Sequence, residues 1–326
     1  MQIKYKHLYS IFLEQKMIRL ILGTFLKCLK SVLIKNQLFW RGKMREIKYE
    51  EIVKSVKDMI LYSATNLPKD AYKGLEDAYK TEKSDVCKQV LKQLLDNADI
   101  AANEARPLCQ DTGLAVFFVK VGEDLKVVGG SLKKAINEGT EQGYKEGYLR
   151  ASTCRWDTRA NLKDEVGYNL PAIIHFDLVE GDELDIEYAA KGGGSENVSR
   201  ATVFPPAKGR KGIIEYVKQV ISDAGPNPCP PLTVGVGIGG TFEKAVISSK
   251  HALFRELGSK NADPVLESME EELMVLLNNL GIGAMGMGGT NTVLGVHIES
   301  NPCHIASLPV SVNVQCHSSR HMHIKL

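Results

Sequence analysis

Apolar residues return at helical spacing over 46–64 and again over 84–105, where Val86, Val90, Leu91, Leu94, Leu95 and Ala98 mark one face. Ser84 stands just before the second run and predicts its N-cap. Residues 114–119 form an unbroken apolar run, which predicts a short strand buried on both faces. Helical spacing resumes over 130–147. Two apolar stretches, 171–179 and 183–190, flank Glu180-Gly181-Asp182 and predict a hairpin. Ile213, Ile214, Val217, Val220 and Ile221 mark a further helix that stops at Gly225-Pro226. A strand at 232–238 then leads into a helix at 241–257. Another helix, 264–280, starts with proline in a tolerated early position. Residues 281–289 are a glycine-dense loop, and 292–299 and 308–315 alternate as strands.

Strands and helices mix throughout, with hairpin as well as crossover spacing. The expected class is α/β with mixed parallel and antiparallel sheets flanked by helices. No Pro/Ser-rich linker divides residues 44–326, so they are expected to form one catalytic domain. Residues 1–43 differ in character: nine Lys/Arg stand against the single acid Glu14. Their apolar runs are interrupted by Lys16, Arg19, Lys27 and Lys30 and are too short to span a bilayer. They read as a basic extension that is non-native or disordered, with Met44 as the working start. The remainder, with 32 basic and 38 acidic residues, is mildly acidic, which argues against a nucleic-acid partner.

Seven cysteines without framework spacing suit a reducing cytoplasm. Three of them stand in rigid polar turns: Cys109 in Pro107-Leu108-Cys109-Gln110-Asp111-Thr112-Gly113, Cys229 in Asn227-Pro228-Cys229-Pro230-Pro231, and Cys316 in Asn313-Val314-Gln315-Cys316-His317. None belongs to a C-x-x-C pair, so a local zinc knuckle is not indicated. Three distant thiolates can instead hold three irons of a [4Fe–4S] cluster and leave the fourth open to a substrate oxygen. Each turn also has a plainer reading. Asp111 can cap its own turn, Cys109 can be a small buried hydrophobe, the prolines around Cys229 can simply stiffen a loop, and Cys316 can simply end a strand at a polar turn. Gly235-Val236-Gly237-Ile238-Gly239-Gly240 contains a formal G-x-G-x-x-G, but no further strand with an acidic end follows, so dinucleotide binding is not expected. Lys191-Gly192-Gly193-Gly194-Ser195 can form an anion nest. Arg150 and Arg159 can clamp carboxylates.

These motifs, in this order, resemble the iron–sulfur-dependent (class I) fumarate hydratases, specifically the alpha subunit. The strongest pieces are the 107–113 turn, Lys191-Gly192-Gly193-Gly194-Ser195-Glu196-Asn197, Cys229-Pro230-Pro231 with 235–240, and His304-Ile305-Ala306-Ser307-Leu308-Pro309-Val310 leading to Cys316. The resemblance implies that Cys109, Cys229 and Cys316 hold the [4Fe–4S] cluster and that Cys303 does not. It implies substrate contacts from Gln110, Arg150 and Gly193, proton transfer at Asp111, and a catalytic His304. It implies a small dicarboxylate substrate, an oligomer, and a beta subunit that supplies the C3 base and further cations. Reversible hydration of fumarate to L-malate is the expected reaction. The L-tartrate dehydratase alpha subunit is the near relative, and a non-catalytic metal-binding subunit is the alternative of a different class.

Overall fold

A computed structural model describes residues 44–326; the basic segment 1–43 lies outside the described residues. Three sheets form: a two-stranded one, and two four-stranded ones that carry the architecture. The expected mixed α/β class is what the chain adopts.

Strand β1 (Arg45–Lys48) pairs in parallel with β3 (Leu125–Val128) at one edge of the molecule. In the first large sheet, β2 (Leu114–Gly122) lies between β4 (Ile173–Val179), parallel to it, and β5 (Leu184–Lys191), antiparallel to it. The final strand β10 (His321–Lys325) adds to the outer side of β5. β2 has neighbours on both sides and Ala115 to Val119 are all buried, which is why its sequence is a solid apolar run. Helices α1 (Tyr49–Thr65) and α4 (Leu132–Glu146) cover this sheet; Ile52, Val56, Met59 and Ile60 meet Phe117, Ile136, Tyr144 and Tyr188 in one core.

The second sheet has the order β6–β9–β7–β8, built from β6 (Arg200–Phe204), β7 (Leu232–Gly239), β8 (Val293–Asn301) and β9 (Leu308–Gln315). Its core is filled by α6 (Gly209–Ala224) and α8 (Pro264–Asn278), with Val217, Ile221, Leu273 and Leu277 against Val234, Val296 and Val312. Helices α2 (Lys69–Thr81) and α3 (Asp85–Glu104) form a smaller cluster around Leu75, Cys87 and Leu91. Ser84 caps α3 as expected, its hydroxyl accepting from the Cys87 amide. Helix α7 (Phe242–His251) packs on the second sheet, and its C-terminal end reaches the first. His251 at its end reaches Glu187 on β5 and Glu299 on β8 and meets Phe118 on β2 edge-on.

Several expectations need correction. The stretches 171–179 and 183–190 are strands but do not pair with each other, because β2 separates them. Their connection crosses the end of β2 over Gly122, where a Cβ would stand only 2.4 Å from the Gly181 oxygen. The Gly122 and Asp124 amides donate to Glu183 and Gly181, so the crossing replaces the hairpin hydrogen bonds. The helix expected at 241–257 ends at His251 and passes into a single tight turn, Ala252–Phe254. Residues 193–197, in the stretch read as an anion nest, form one turn of helix.

Candidate functional site

Strand register brings the three cysteine turns together. Leu114, at the start of β2, pairs with Lys191, at the end of β5. The Cys109 turn and the glycine loop therefore leave the first sheet at the same end. In the second sheet Thr233, at the start of β7, pairs with Gln315, at the end of β9. Cys229 and Cys316 thus leave that sheet together. The two sheet ends meet through Lys191 Nζ, which donates to the Val314 carbonyl at 2.7 Å, and Gln315 Nε2, which donates to the Ala190 carbonyl at 3.3 Å.

At the junction the Asp111 carboxylate is gripped by backbone amides. Gly113 N donates to Oδ1 at 3.0 Å and Gly193 N to Oδ2 at 2.7 Å. Gly113 has φ +77°, and a Cβ on it would lie 2.8 Å from the Ala190 carbonyl carbon, so the turn needs glycine there. Thr112 ties this turn to the base of the next loop. Its hydroxyl accepts from the Arg150 amide at 2.9 Å and donates to the Arg150 carbonyl at 3.3 Å. Gln110 and Arg150 are exposed.

Cys229 sits in the left-handed region at φ +57°, an uncommon conformation for a residue with a side chain. Its carbonyl accepts from both the amide (3.3 Å) and the Nδ1 (3.1 Å) of His317, which locks the Cys229 turn to the Cys316 turn. Burial pushes the Cys229 thiol up, and negative charge at Cys316, Cys109 and Asp111 pushes it the same way. Burial likewise raises the Cys316 thiol, against the pull of Arg320, the Ser318 amide and Lys191, with Cys109 adding to the rise. These mutual influences put the three sulfurs and Asp111 in one electrostatic neighbourhood.

Two buried cations stand beside it. Lys191 is 3 % exposed and Arg320 is 1 % exposed. Burial draws the Lys191 ammonium down to about 8, with repulsion from Lys250 helping and Glu196 resisting. Glu196 pairs with both lysines, at 3.4 Å and 2.7 Å. Arg320 Nη1 donates to the Asp111 carbonyl at 2.7 Å. Arg320 was not legible as a site residue, since Ser318-Ser319-Arg320 reads as an ordinary polar turn; its only sequence signal is its position four residues after Cys316.

The donor set can be tested against an iron–sulfur cluster. Among the described residues, no three His, Cys, Asp or Glu side chains stand close enough to share one metal ion. A zinc site needs all its ligands about 2.3 Å from a single point. A cluster places each thiolate on a different iron, so its ligands stand wider apart. Among the described residues, six buried side-chain polar atoms have no partner in the protein, and four of them flank Cys316, on Asn313, Gln315, Ser318 and Arg320. Such atoms are rare in protein interiors and gather where another polar group belongs. Three thiols and a polar, cationic surround fit a cluster with one open iron.

His304 does not join this group within one chain. It precedes β9 while Cys316 follows it, and eight extended residues put roughly 25 Å between them. The exposed His304 instead lines a cleft of about 820 Å³ with Cys303, Gly240, Thr241 and Lys244, and its Nδ1 accepts from the Ala306 amide at 3.1 Å. The glycine-rich 235–240 segment has a packing explanation. Cβ atoms on Gly235 and Gly237 would lie 2.1 Å and 2.0 Å from carbonyl oxygens of α7, so these glycines let the helix backbone lie directly on β7.

Comparison with known proteins places the chain among relatives. A family model described as fumarate hydratase (Fumerase) matches residues 53–325. A protein of Methanocaldococcus jannaschii, provisionally named L(+)-tartrate dehydratase subunit alpha, is 41% identical over 272 residues, covering 81% of this chain and 94% of that protein. The L(+)-tartrate dehydratase subunit alpha of Escherichia coli is 33% identical over 273 residues, covering 84% of this chain and 89% of its own length.

Proposed function

The chain belongs to the fumarate hydratase (Fumerase) family, and on that premise we propose that it is the alpha subunit of a two-subunit [4Fe–4S] hydro-lyase catalysing reversible hydration of fumarate to L-malate. Residues 44–326 form its catalytic part, and a beta subunit completes the active site. The alpha-subunit assignment is supported by the names of the relatives. The observation that carries the chemistry is the meeting of the Cys109, Cys229 and Cys316 turns with the amide-held Asp111 at one end of both sheets. We place the chain in the cytoplasm, a setting that cysteines free of disulfides support. Among the described residues no helix is long and apolar enough to cross a membrane.

Cys109, Cys229 and Cys316 would hold the cluster. When bound, it supplies Lewis acidity toward the oxygen that leaves as water. The chain's own residues do the rest of the work on this side. Asp111, fixed by the Gly113 and Gly193 amides, presents a carboxyl group beside the cysteines and exchanges a proton with the departing or entering water. Those two bonds hold both carboxyl oxygens in place, so little reorganisation is needed when the proton moves. Arg150, anchored through its backbone to Thr112, and Gln110 orient the substrate carboxylates at the mouth, and the Gly193 loop offers its backbone to the same end. The C3 proton falls to a base on the beta subunit. His304 enters this reading only from a second copy of the chain, because β9 holds it away from its own cysteines.

A second reading, L-tartrate as substrate, is favoured by the names of the relatives. The test is anaerobic reconstitution followed by turnover on L-malate, meso-tartrate and L-tartrate with a co-expressed beta subunit. Three or more irons per chain with malate turnover by the pair supports the proposal. Turnover of L-tartrate alone would move the assignment to the second reading, and no retained iron would overturn the cluster.

A further inference from the structure

Among the described residues Arg320 is the largest fully buried side chain, 1 % exposed, and it carries a permanent charge. Its Nη1 donates to the Asp111 carbonyl at 2.7 Å, and its Nε is buried without a partner. Among the described residues no carboxylate pairs with it. The nearby Asp111 carboxylate is taken up by the Gly113 and Gly193 amides. The other buried cation, Lys191, differs in this respect, since Glu196 lies 3.4 Å away. An uncompensated buried charge is costly, and a fold that keeps one ordinarily has an anion for it.

The structure shows where that anion belongs. Arg320 sits in the turn between Cys316 and β10, and its carbonyl accepts from the Ala190 amide at 3.0 Å, next to Lys191. Its Nη2 faces Gly192: a Cβ there would lie 3.9 Å from Nη2 and 3.2 Å from Asp111 Oδ2. The neighbouring orphaned polar atoms, on Asn313, Gln315 and Ser318, lie on the same stretch of chain. The charge therefore lies directly behind the cysteine turns, buried too deeply to meet substrate.

We propose that Arg320 is a positioning residue that serves as the built-in counter-charge for the anionic iron–sulfur–thiolate assembly while pinning the Asp111 turn beside it. This inference rests on the cluster reading given above. Its specific consequence is electrostatic. A fixed positive charge behind the cluster favours the added electron, so removing it makes the cluster harder to reduce. A merely structural arginine would leave the potential alone.

The experiment uses the full chain, reconstituted anaerobically with iron and sulfide, and reads both iron content and the reduction potential. R320M removes the charge at similar size, R320Q removes it but keeps a donor for the Asp111 carbonyl, and R320K keeps the charge. The expected result is a lower potential in both neutral variants and a potential near wild type in R320K. If R320M fails to fold, R320Q and R320K carry the comparison. Iron-loaded R320Q with an unchanged potential overturns this inference while the cluster reading stands. A wild-type chain that retains no iron overturns both.

Discussion

Glu82 links a distant helix start to the turn that carries Cys229, and its replacement by glutamine makes a graded prediction. Its carboxylate is 5 % exposed and accepts from the Lys83, Ser84 and Thr290 amides at 2.8–3.1 Å and from Asn291 Nδ2 at 2.9 Å. Burial works against the charge, but the Ser84, Asn291, Thr290 and Lys83 donors more than offset it and hold the carboxyl down from 4.5 to about 2. That difference corresponds to about 3 kcal/mol of stability at neutral pH. Glutamine retains one acceptor and turns an NH2 toward amides that need acceptors. Because the folded value is depressed, the contribution is complete above 4.5 and is lost as pH falls toward 2; roughly 2 kcal/mol of it is gone by pH 3. Urea unfolding should show E82Q weaker than wild type by about 3 kcal/mol at pH 7, with the gap narrowing on acidification. The effect should also travel. The glycine loop that Glu82 holds returns onto the Cys229 turn, where the Met285 amide donates to the Pro230 carbonyl at 2.7 Å and Gly286 lies against Pro226. Hydrogen exchange over 281–291 should accelerate in E82Q. A variant within 0.5 kcal/mol of wild type at pH 7 (roughly the scatter of neutral surface changes), or a gap that does not narrow with pH, would refute the reasoning.

Three further outcomes follow from the same geometry. G237A places a methyl 2.0 Å from the Ala245 oxygen and should cost about 3 kcal/mol in a denaturant titration; a loss under 1 kcal/mol would mean α7 can lift off β7. For His251, burial pushes the imidazole down, but Glu187 and Glu299 raise it from 6.5 to about 9. Its contribution is therefore present below 6.5 and lost as pH rises through 9, so H251Q should be weaker than wild type by about 1–2 kcal/mol near pH 6 and similar to it near pH 10; a gap that is the same at both ends would count against the pairing. C316S should abolish iron retention and turnover, whereas C303S, at an exposed cleft on the opposite end of β9, should keep most of both; the reverse pattern would reassign the ligands.

The sequence was most informative where burial was one-sided or complete. The 114–119 run is apolar because β2 is central, and the 84–105 periodicity is clear because α3 packs one face and solvates the other. Helix α2 escaped notice because its buried face is small, Ala71, Leu75 and Ala78, with Gly74 among them. The 171–190 stretch misled because two strands around a turn look alike whether they pair with each other or with a third strand between them. The cysteine turns stood out in the sequence as candidate ligands, but their convergence depends on register across two sheets, which composition does not encode. Arg320 was invisible for the same reason: its charge gains meaning only from being enclosed.

Cys109 hangs from the first sheet, while Cys229 and Cys316 hang from the second, and each sheet has a hydrophobic core of its own. Anything gripped by all three sulfurs is also a rivet across the seam between them. Were a cluster held there, its loss would be felt first as a loosening between the two halves, and its insertion would have to wait until both halves were in place.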